Sequence, residues 1–180
     1  MVMGSVSASV VSHASCPVVV VREDNHVTDS TKYGPVVVGV DGSEVSQKAT
    51  AYAFREAQAR GAALIAVHTW MDMQVQASLA GLSAAQSEWA DIEKEQSELL
   101  TENLKEPREE YPEVEVKKLI TRDRPVSALT EAAEGAQLLV VGSHGRGGFK
   151  GMLLGSTSRA LLQSAPVSYT HLTLPTICSV

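Results

Sequence analysis

The chain has 180 residues, of which 44% are hydrophobic and 20% charged, and its formal net charge is −6. This composition is typical of a folded α/β domain with a shorter additional segment, and it excludes wholesale disorder. The negative charge argues against a nucleic-acid-binding surface, which normally carries a basic stripe. No apolar run approaches the roughly 20 residues that span a bilayer, and no secretory signal is evident. We therefore expect a cytoplasmic protein that binds neither membrane nor nucleic acid.

From residue 34 onward, the pattern alternates between strands and helices. The predicted strands cover residues 35–40, 62–69, a segment at Val114 and Val116, and residues 137–141. The predicted helices cover residues 44–60, with Ser43 as N-cap and Gly61 as the stop, then residues 83–106, 125–134 and 156–163. Such alternation predicts an α/β fold with a doubly wound, mostly parallel five-stranded sheet and helices on both faces, which is Rossmann-like.

An internal repeat suggests how the chain is divided. Met-Gly-Ser-Val-Ser at residues 3–7 matches Leu-Gly-Ser-Thr-Ser at residues 154–158. The first copy continues through a proline into four valines at residues 18–21. We interpret residues 1–22 as the last helix and strand of a preceding copy, residues 23–33 as a linker and residues 34–166 as the domain itself.

Residues 167–180 depart from the repeat. Where a valine-rich strand is expected, the sequence reads Val-Ser-Tyr-Thr-His-Leu-Thr-Leu-Pro-Thr, which resembles the translation of a sequencing-library transposase adapter. We interpret this segment as a non-native tail, and a natural divergent tail is the alternative. Losing a strand of four buried valines costs roughly 6–12 kcal/mol. We therefore expect the strand at residues 18–21 to dock beside the fourth predicted strand, or to pair with a partner chain.

A glycine-rich loop after the strand at residues 137–141 gives the strongest functional signal. Gly142 and Gly145 are followed, after nine intervening residues, by Gly155 and Ser156. Glycines let backbone N–H groups approach a phosphate closely, and a helix that begins at Ser156 favours anions at its N-terminus. The alternatives are ordinary turn geometry for the glycines and simple helix capping for Ser156.

Three charged residues are candidates at the same edge of the sheet. Asp41 follows the first strand of the domain, and carboxyl ends of strands are where open α/β sheets bind ligands. Its carboxylate can accept hydrogen bonds from ribose hydroxyls, or it can cap the following helix. Arg146 and Lys150 are placed to neutralise phosphate charge, or they are solvated loop residues.

These segments resemble the universal stress protein family. The resemblance is carried by Val-Val-Val-Gly-Val-Asp-Gly-Ser at residues 36–43, Val-Val-Gly-Ser-His-Gly-Arg-Gly-Gly at residues 140–148 and Leu-Gly-Ser at residues 154–156, and it covers about residues 34–166. It implies the ATP-binding branch, an adenine-nucleotide fold, and ATP as ligand, with or without Mg. It also implies that Asp41 holds the ribose and that Thr69 lies near the adenine, with Val40 and Thr157 completing the site. A homodimer, or intramolecular pairing of repeated domains, is the implied assembly.

An enzyme is the less favoured interpretation. No GxxxxGK[ST] phosphate loop occurs, and no positioned general base is evident, so any ATP hydrolysis should be slow. The cysteines and histidines show no metal-ligand spacing. We expect an ATP-binding stress-response regulator; the alternatives are a slow ATP-hydrolysing enzyme of the same fold and a ligand-free dimerisation module.

Overall fold

The computed structural model describes residues 5–14, 16–21, 34–70, 86–146, 154–164 and 169–172. Its strands are β1 (Val18–Val20), β2 (Val36–Gly39), β3 (Leu64–Thr69), β4 (Val116–Thr121), β5 (Leu138–Gly142) and β6 (Tyr169–Leu172). Its helices are α1 (Ser5–His13), α2 (Glu44–Arg60), α3 (Gln86–Glu110), α4 (Pro125–Ala132) and α5 (Ser156–Ser164). None of these described helices is both long and apolar enough to cross a membrane. The predicted linker at residues 23–33 lies outside the described residues.

The six strands of the described residues form one sheet in the order β1-β6-β5-β2-β3-β4. The pairs β6–β5, β5–β2, β2–β3 and β3–β4 are parallel, and only β1, at one edge, runs antiparallel to its neighbour. The predicted α/β fold with a mostly parallel sheet is confirmed, but the predicted count of five strands is wrong. Four strands lie within residues 34–166, and β1 and β6 complete the sheet.

Helices cover both faces of the sheet. On one face, Val37 and Leu139 pack with Leu129 of α4 and Leu161 of α5. On the other face, the core includes residues of β2, β3, β5, α2 and α3, namely Val38, Ala66, Val140, Phe54 and Leu104. Because β2 and β5 are buried on both faces, their carboxyl ends are held rigidly next to each other.

Local signals set the ends of α2 as the sequence predicts. The Ser43 side chain accepts a hydrogen bond from Ser46 N at 3.2 Å and caps the helix. At the other end, Gly61 adopts φ 59°, and its N–H faces the carbonyls of Ala57 and Gln58. A left-handed residue of this kind is a common helix stop and favours glycine.

The expected docking of the valine strand beside the fourth strand of the domain is wrong. That position, next to β5, is taken by β6, where Leu139 pairs with Tyr169 in parallel register. β1 lies one strand further out, and Val18 pairs with His171 in antiparallel register. A strand that follows α5 directly can complete a short β-α-β crossover beside β5. β1 instead pairs with the outer edge of β6.

The N-terminal segment nevertheless packs into the core. Val11 of α1 is only 2% exposed and belongs to the cluster that contains Leu139 and Leu161. Val18 and Val20 pack against the same cluster, whereas Val10 is 56% exposed. Val11, Val18 and Val20 therefore tie α1 and β1 to the packed core.

This packing predicts unequal effects for two neighbouring valines. Val11→Ala should lower the free energy of unfolding by about 2 kcal/mol, because it removes two buried methyl groups and leaves a cavity. Val10→Ala is the matched control, since it makes the same change in helix propensity at an exposed position and should stay within about 0.5 kcal/mol. Chemical denaturation followed by circular dichroism measures both. Equal midpoints for the two variants would show that α1 does not pack on the sheet.

Candidate functional site

Two loops meet at one edge of the sheet because β2 and β5 are parallel neighbours. We call residues 40–43, which follow β2, the Asp41 loop, and residues 142–146, which end β5 and follow it, the glycine loop. Carboxyl ends of neighbouring parallel strands define the usual ligand-binding crevice of an open α/β sheet. The candidate site is therefore built from these two loops.

The carboxylate of Asp41 joins the two loops. Its Oδ1 accepts a hydrogen bond from Ser43 N at 2.9 Å, and its Oδ2 accepts one from Arg146 N at 3.1 Å. The backbone N–H of Asp41 itself donates to Ser46 Oγ at 3.1 Å. One half-buried side chain thus ties the start of α2 to the glycine loop.

Two glycines allow this close approach. A Cβ atom added to Gly145 would lie 2.5 Å from Asp41 Oδ2, and one added to Gly42 would lie 2.5 Å from Arg146 Nη2. Gly42 also has φ 78°, a backbone conformation that other residues rarely adopt. The Arg146 guanidinium therefore lies over the backbone of the Asp41 loop, which places a positive charge at the mouth of the site.

The first turn of α5 supports the glycine loop from the other side. Gly155 N donates to Ser143 O at 2.8 Å, and Ser158 Oγ donates to Gly142 O at 2.7 Å. A Cβ atom on Gly155 would lie 3.1 Å from the Cα of His144, so the loop and the helix start are in direct contact. The leading N–H groups of a helix have no acceptor within the helix.

The structure brings together most of the predicted site residues. Asp41, Gly142, Gly145, Arg146 and Gly155 are linked by the contacts above, and Ser156 and Thr157 are the first two residues of α5. Val40 is buried and directly follows β2, and Thr69 is partly buried and is the last residue of β3, so both lie at the same edge of the sheet. Lys150 lies outside the described residues.

Sequence reasoning missed several hydroxyl groups that hold the site in place. Ser46, Ser143 and Ser158 are each at most 3% exposed, and all three take part in hydrogen bonds around the two loops. Ser143 Oγ lies 2.9 Å from Nδ1 of His144, a residue of the glycine loop. The only signal for Ser158 is its place in the repeated Gly-Ser-x-Ser pattern.

Within the ranges that the structure describes, no cluster of three or more His, Cys, Asp or Glu side chains could hold a metal ion. Besides the hydroxyl groups named above, the described polar groups of the site include the carboxylate of Asp41, the guanidinium of Arg146 and backbone N–H groups of the two loops. This combination suits a ligand that carries both hydroxyl groups and negative charge.

Comparison with known proteins agrees with this architecture. The sequence model described as the Universal stress protein family matches residues 32–170. Universal stress protein Rv2005c of Mycobacterium tuberculosis is 47% identical over 165 residues, which cover 92% of this chain and 54% of that protein. The chain thus spans about half the length of the curated relatives it matches.

Solved structures show the same fold. Universal stress protein UspA from Lactobacillus plantarum superposes with a TM-score of 0.63 at 21% identity, covering 78% of this chain and 98% of that chain. A universal stress protein in complex with cAMP superposes with a TM-score of 0.55 at 26% identity, covering 79% and 98%. By sequence over most of its length, and by the sheet and loops described above, the chain belongs to the universal stress protein family.

Proposed function

We propose that this chain binds ATP, with or without Mg, between the Asp41 loop and the glycine loop, and acts as a nucleotide-dependent regulator in a stress response. The observation that carries the proposal is the shared carboxylate of Asp41, which accepts from both Ser43 N and Arg146 N. In this proposal, the Asp41 carboxylate accepts the ribose hydroxyls, and the neighbouring glycine loop and helix start donate to the phosphates.

The ribose part of the proposal depends on how many further hydrogen bonds the Asp41 carboxylate can accept. An ionised carboxylate offers about four lone-pair directions and accepts only. Ser43 N and Arg146 N occupy one direction on each oxygen. The remaining capacity matches the two neighbouring hydroxyls of a ribose, both of which can donate.

The phosphate part of the proposal depends on the contact between the glycine loop and α5. Gly155 N and Ser158 Oγ hold this loop against the first turn of the helix. Backbone N–H groups at a helix N-terminus, together with the helix dipole, favour a phosphate there. The guanidinium of Arg146 adds a positive charge, and Ser156 and Thr157 add hydroxyl groups at the helix start.

The base would then lie over the ends of β2 and β3, near Val40 and Thr69. A related universal stress protein, 26% identical to this chain, was solved in complex with cAMP, and this supports an adenine nucleotide as the ligand class. In this proposal, bound phosphates hold the glycine loop against α5 and alter the surface offered to a partner. We expect any hydrolysis of the bound ATP to be slow.

We also propose that β1, which belongs to the preceding copy at residues 1–22, pairs with the domain as one repeated unit pairs with another; its neighbour β6 lies in residues 167–180, the segment interpreted as a non-native tail. The support is the repeat between residues 3–7 and 154–158, together with the antiparallel pairing of the two strands that follow the repeated helices. A homodimer formed through the same strands is the alternative arrangement.

Replacing Asp41 with Asn should weaken ATP binding about 10- to 100-fold. The change removes a charged acceptor, and hydrogen bonds to charged groups contribute roughly 1.5–3 kcal/mol. Asn keeps an oxygen that can accept from Ser43 N, so the fold should persist. Isothermal titration calorimetry with ATP measures the effect. Asp91→Asn, which removes the same charge from an exposed position on α3, is the matched control, and equal affinities of the two variants would exclude Asp41 from the site.

Replacing Gly145 with Ala should also reduce ATP affinity, by about tenfold or more. The new Cβ would lie 2.5 Å from Asp41 Oδ2 and would separate the two loops. Gly61→Ala is the control, because a Cβ there meets nothing within 4 Å but strains a residue with φ 59°. The control should lower the melting temperature and leave the ATP affinity unchanged. If both variants bind ATP like the unmodified chain, the glycine loop is not part of the site.

A further inference from the structure

A buried histidine on β3 contacts both the Asp41 loop and α3. His68, on β3, is 5% exposed. Its Nδ1 lies 2.7 Å from the carbonyl oxygen of Val40, and its Nε2 lies 3.0 Å from Oε1 of Gln96, a residue of α3 that is 1% exposed. The imidazole thus spans the distance between α3 and the residue that precedes Asp41.

The direction of one of these hydrogen bonds is fixed by chemistry. A carbonyl oxygen only accepts, so His68 Nδ1 must carry a hydrogen and donate it to Val40 O. The carboxamide of Gln96 can satisfy Nε2 in either orientation, because one end of it donates and the other accepts. A buried polar ring is costly without such partners, and here each ring nitrogen has one.

The hydrogen bond from His68 to Val40 O helps to hold the peptide group between Val40 and Asp41 in place. Val40 N donates to Val67 O at 2.8 Å, and Asp41 N donates to Ser46 Oγ at 3.1 Å. With His68 on the carbonyl between them, every polar group of the Val40–Asp41 peptide link has a partner. The direction in which the Asp41 side chain leaves the sheet edge is set by that peptide.

We propose that His68 is a positioning residue for ribose recognition: its Nδ1–H on the Val40 carbonyl holds the Asp41 carboxylate in the orientation that accepts the ribose hydroxyls. His68 itself does not touch the nucleotide in this proposal. It determines how strongly the site prefers a ribonucleotide over a nucleotide that lacks the 2′ and 3′ hydroxyls. This inference rests on the proposed function and deepens it.

The test compares ATP with 2′,3′-dideoxy-ATP by isothermal titration calorimetry on the full chain. The unmodified chain should bind ATP about tenfold more tightly than the dideoxy nucleotide, as expected for lost hydrogen bonds to a carboxylate. His68→Phe removes the donor to Val40 O, so the two affinities should become nearly equal. The affinity for ATP should fall, while the affinity for the dideoxy nucleotide should change little.

Two carboxamide variants separate positioning from a loss of folding. Asn carries an N–H near the place of His68 Nδ1, and Gln carries one near the place of Nε2. His68→Asn should therefore retain the preference for ATP, and His68→Gln should lose it. Gln96→Leu should also retain the preference, because it leaves the bond to Val40 O intact. Melting temperatures confirm that each variant is folded.

The outcomes distinguish this inference from the proposed function. If the unmodified chain binds no ATP, the proposed function fails and the inference fails with it. If the unmodified chain binds ATP more tightly than the dideoxy nucleotide, and every His68 variant shows the same ratio of affinities, the inference is overturned and the proposed function stands. If His68→Phe and His68→Gln weaken both nucleotides by the same factor, His68 has a purely structural role, and the inference is again overturned.

Discussion

Two backbone N–H groups from neighbouring loops share the carboxylate of Asp41, and the geometry of the site depends on that sharing. Ser43 N reaches Oδ1 at the start of α2, and Arg146 N reaches Oδ2 from the glycine loop. Each bond is charge-assisted and therefore stronger than a bond between neutral groups. The two loops can meet in this way only because β2 and β5 are adjacent and parallel.

The rest of the domain restricts how these loops can move. β2 and β5 are buried on both faces, so neither strand can tilt without disturbing a packed layer of helices. The glycine loop is further tied to α5 by Gly155 N and Ser158 Oγ. A ligand that binds the glycine loop would therefore also act on the first turn of α5. This coupling gives the proposed regulator a physical route from the nucleotide to the surface.

Features set by neighbouring residues could be predicted from the sequence. The ends of α2 follow from Ser43 and Gly61, and the start of α4 follows from Pro125, because capping and restricted backbone angles are local effects. The convergence of Asp41 and the glycine loop was also predictable, since a doubly wound sheet brings the carboxyl ends of its central strands together.

Features set by distant partners could not be predicted. The order of β1 and β6 depends on which of two short strands docks beside β5, and both have sequences that favour strands. His68 could be recognised in the sequence only as a polar residue in a mostly apolar strand. Its partners, Val40 and Gln96, are each 28 residues away, on different elements.

A crystal structure of the chain with bound ATP tests the central claim most directly. If ATP binds as proposed, both ribose hydroxyls lie within hydrogen-bonding distance of the Asp41 carboxylate, and the phosphates lie against the glycine loop and the start of α5. The account also predicts that Ser43 N and His68 keep their present bonds. A nucleotide bound elsewhere, or bound here with its ribose turned away from Asp41, would contradict the account.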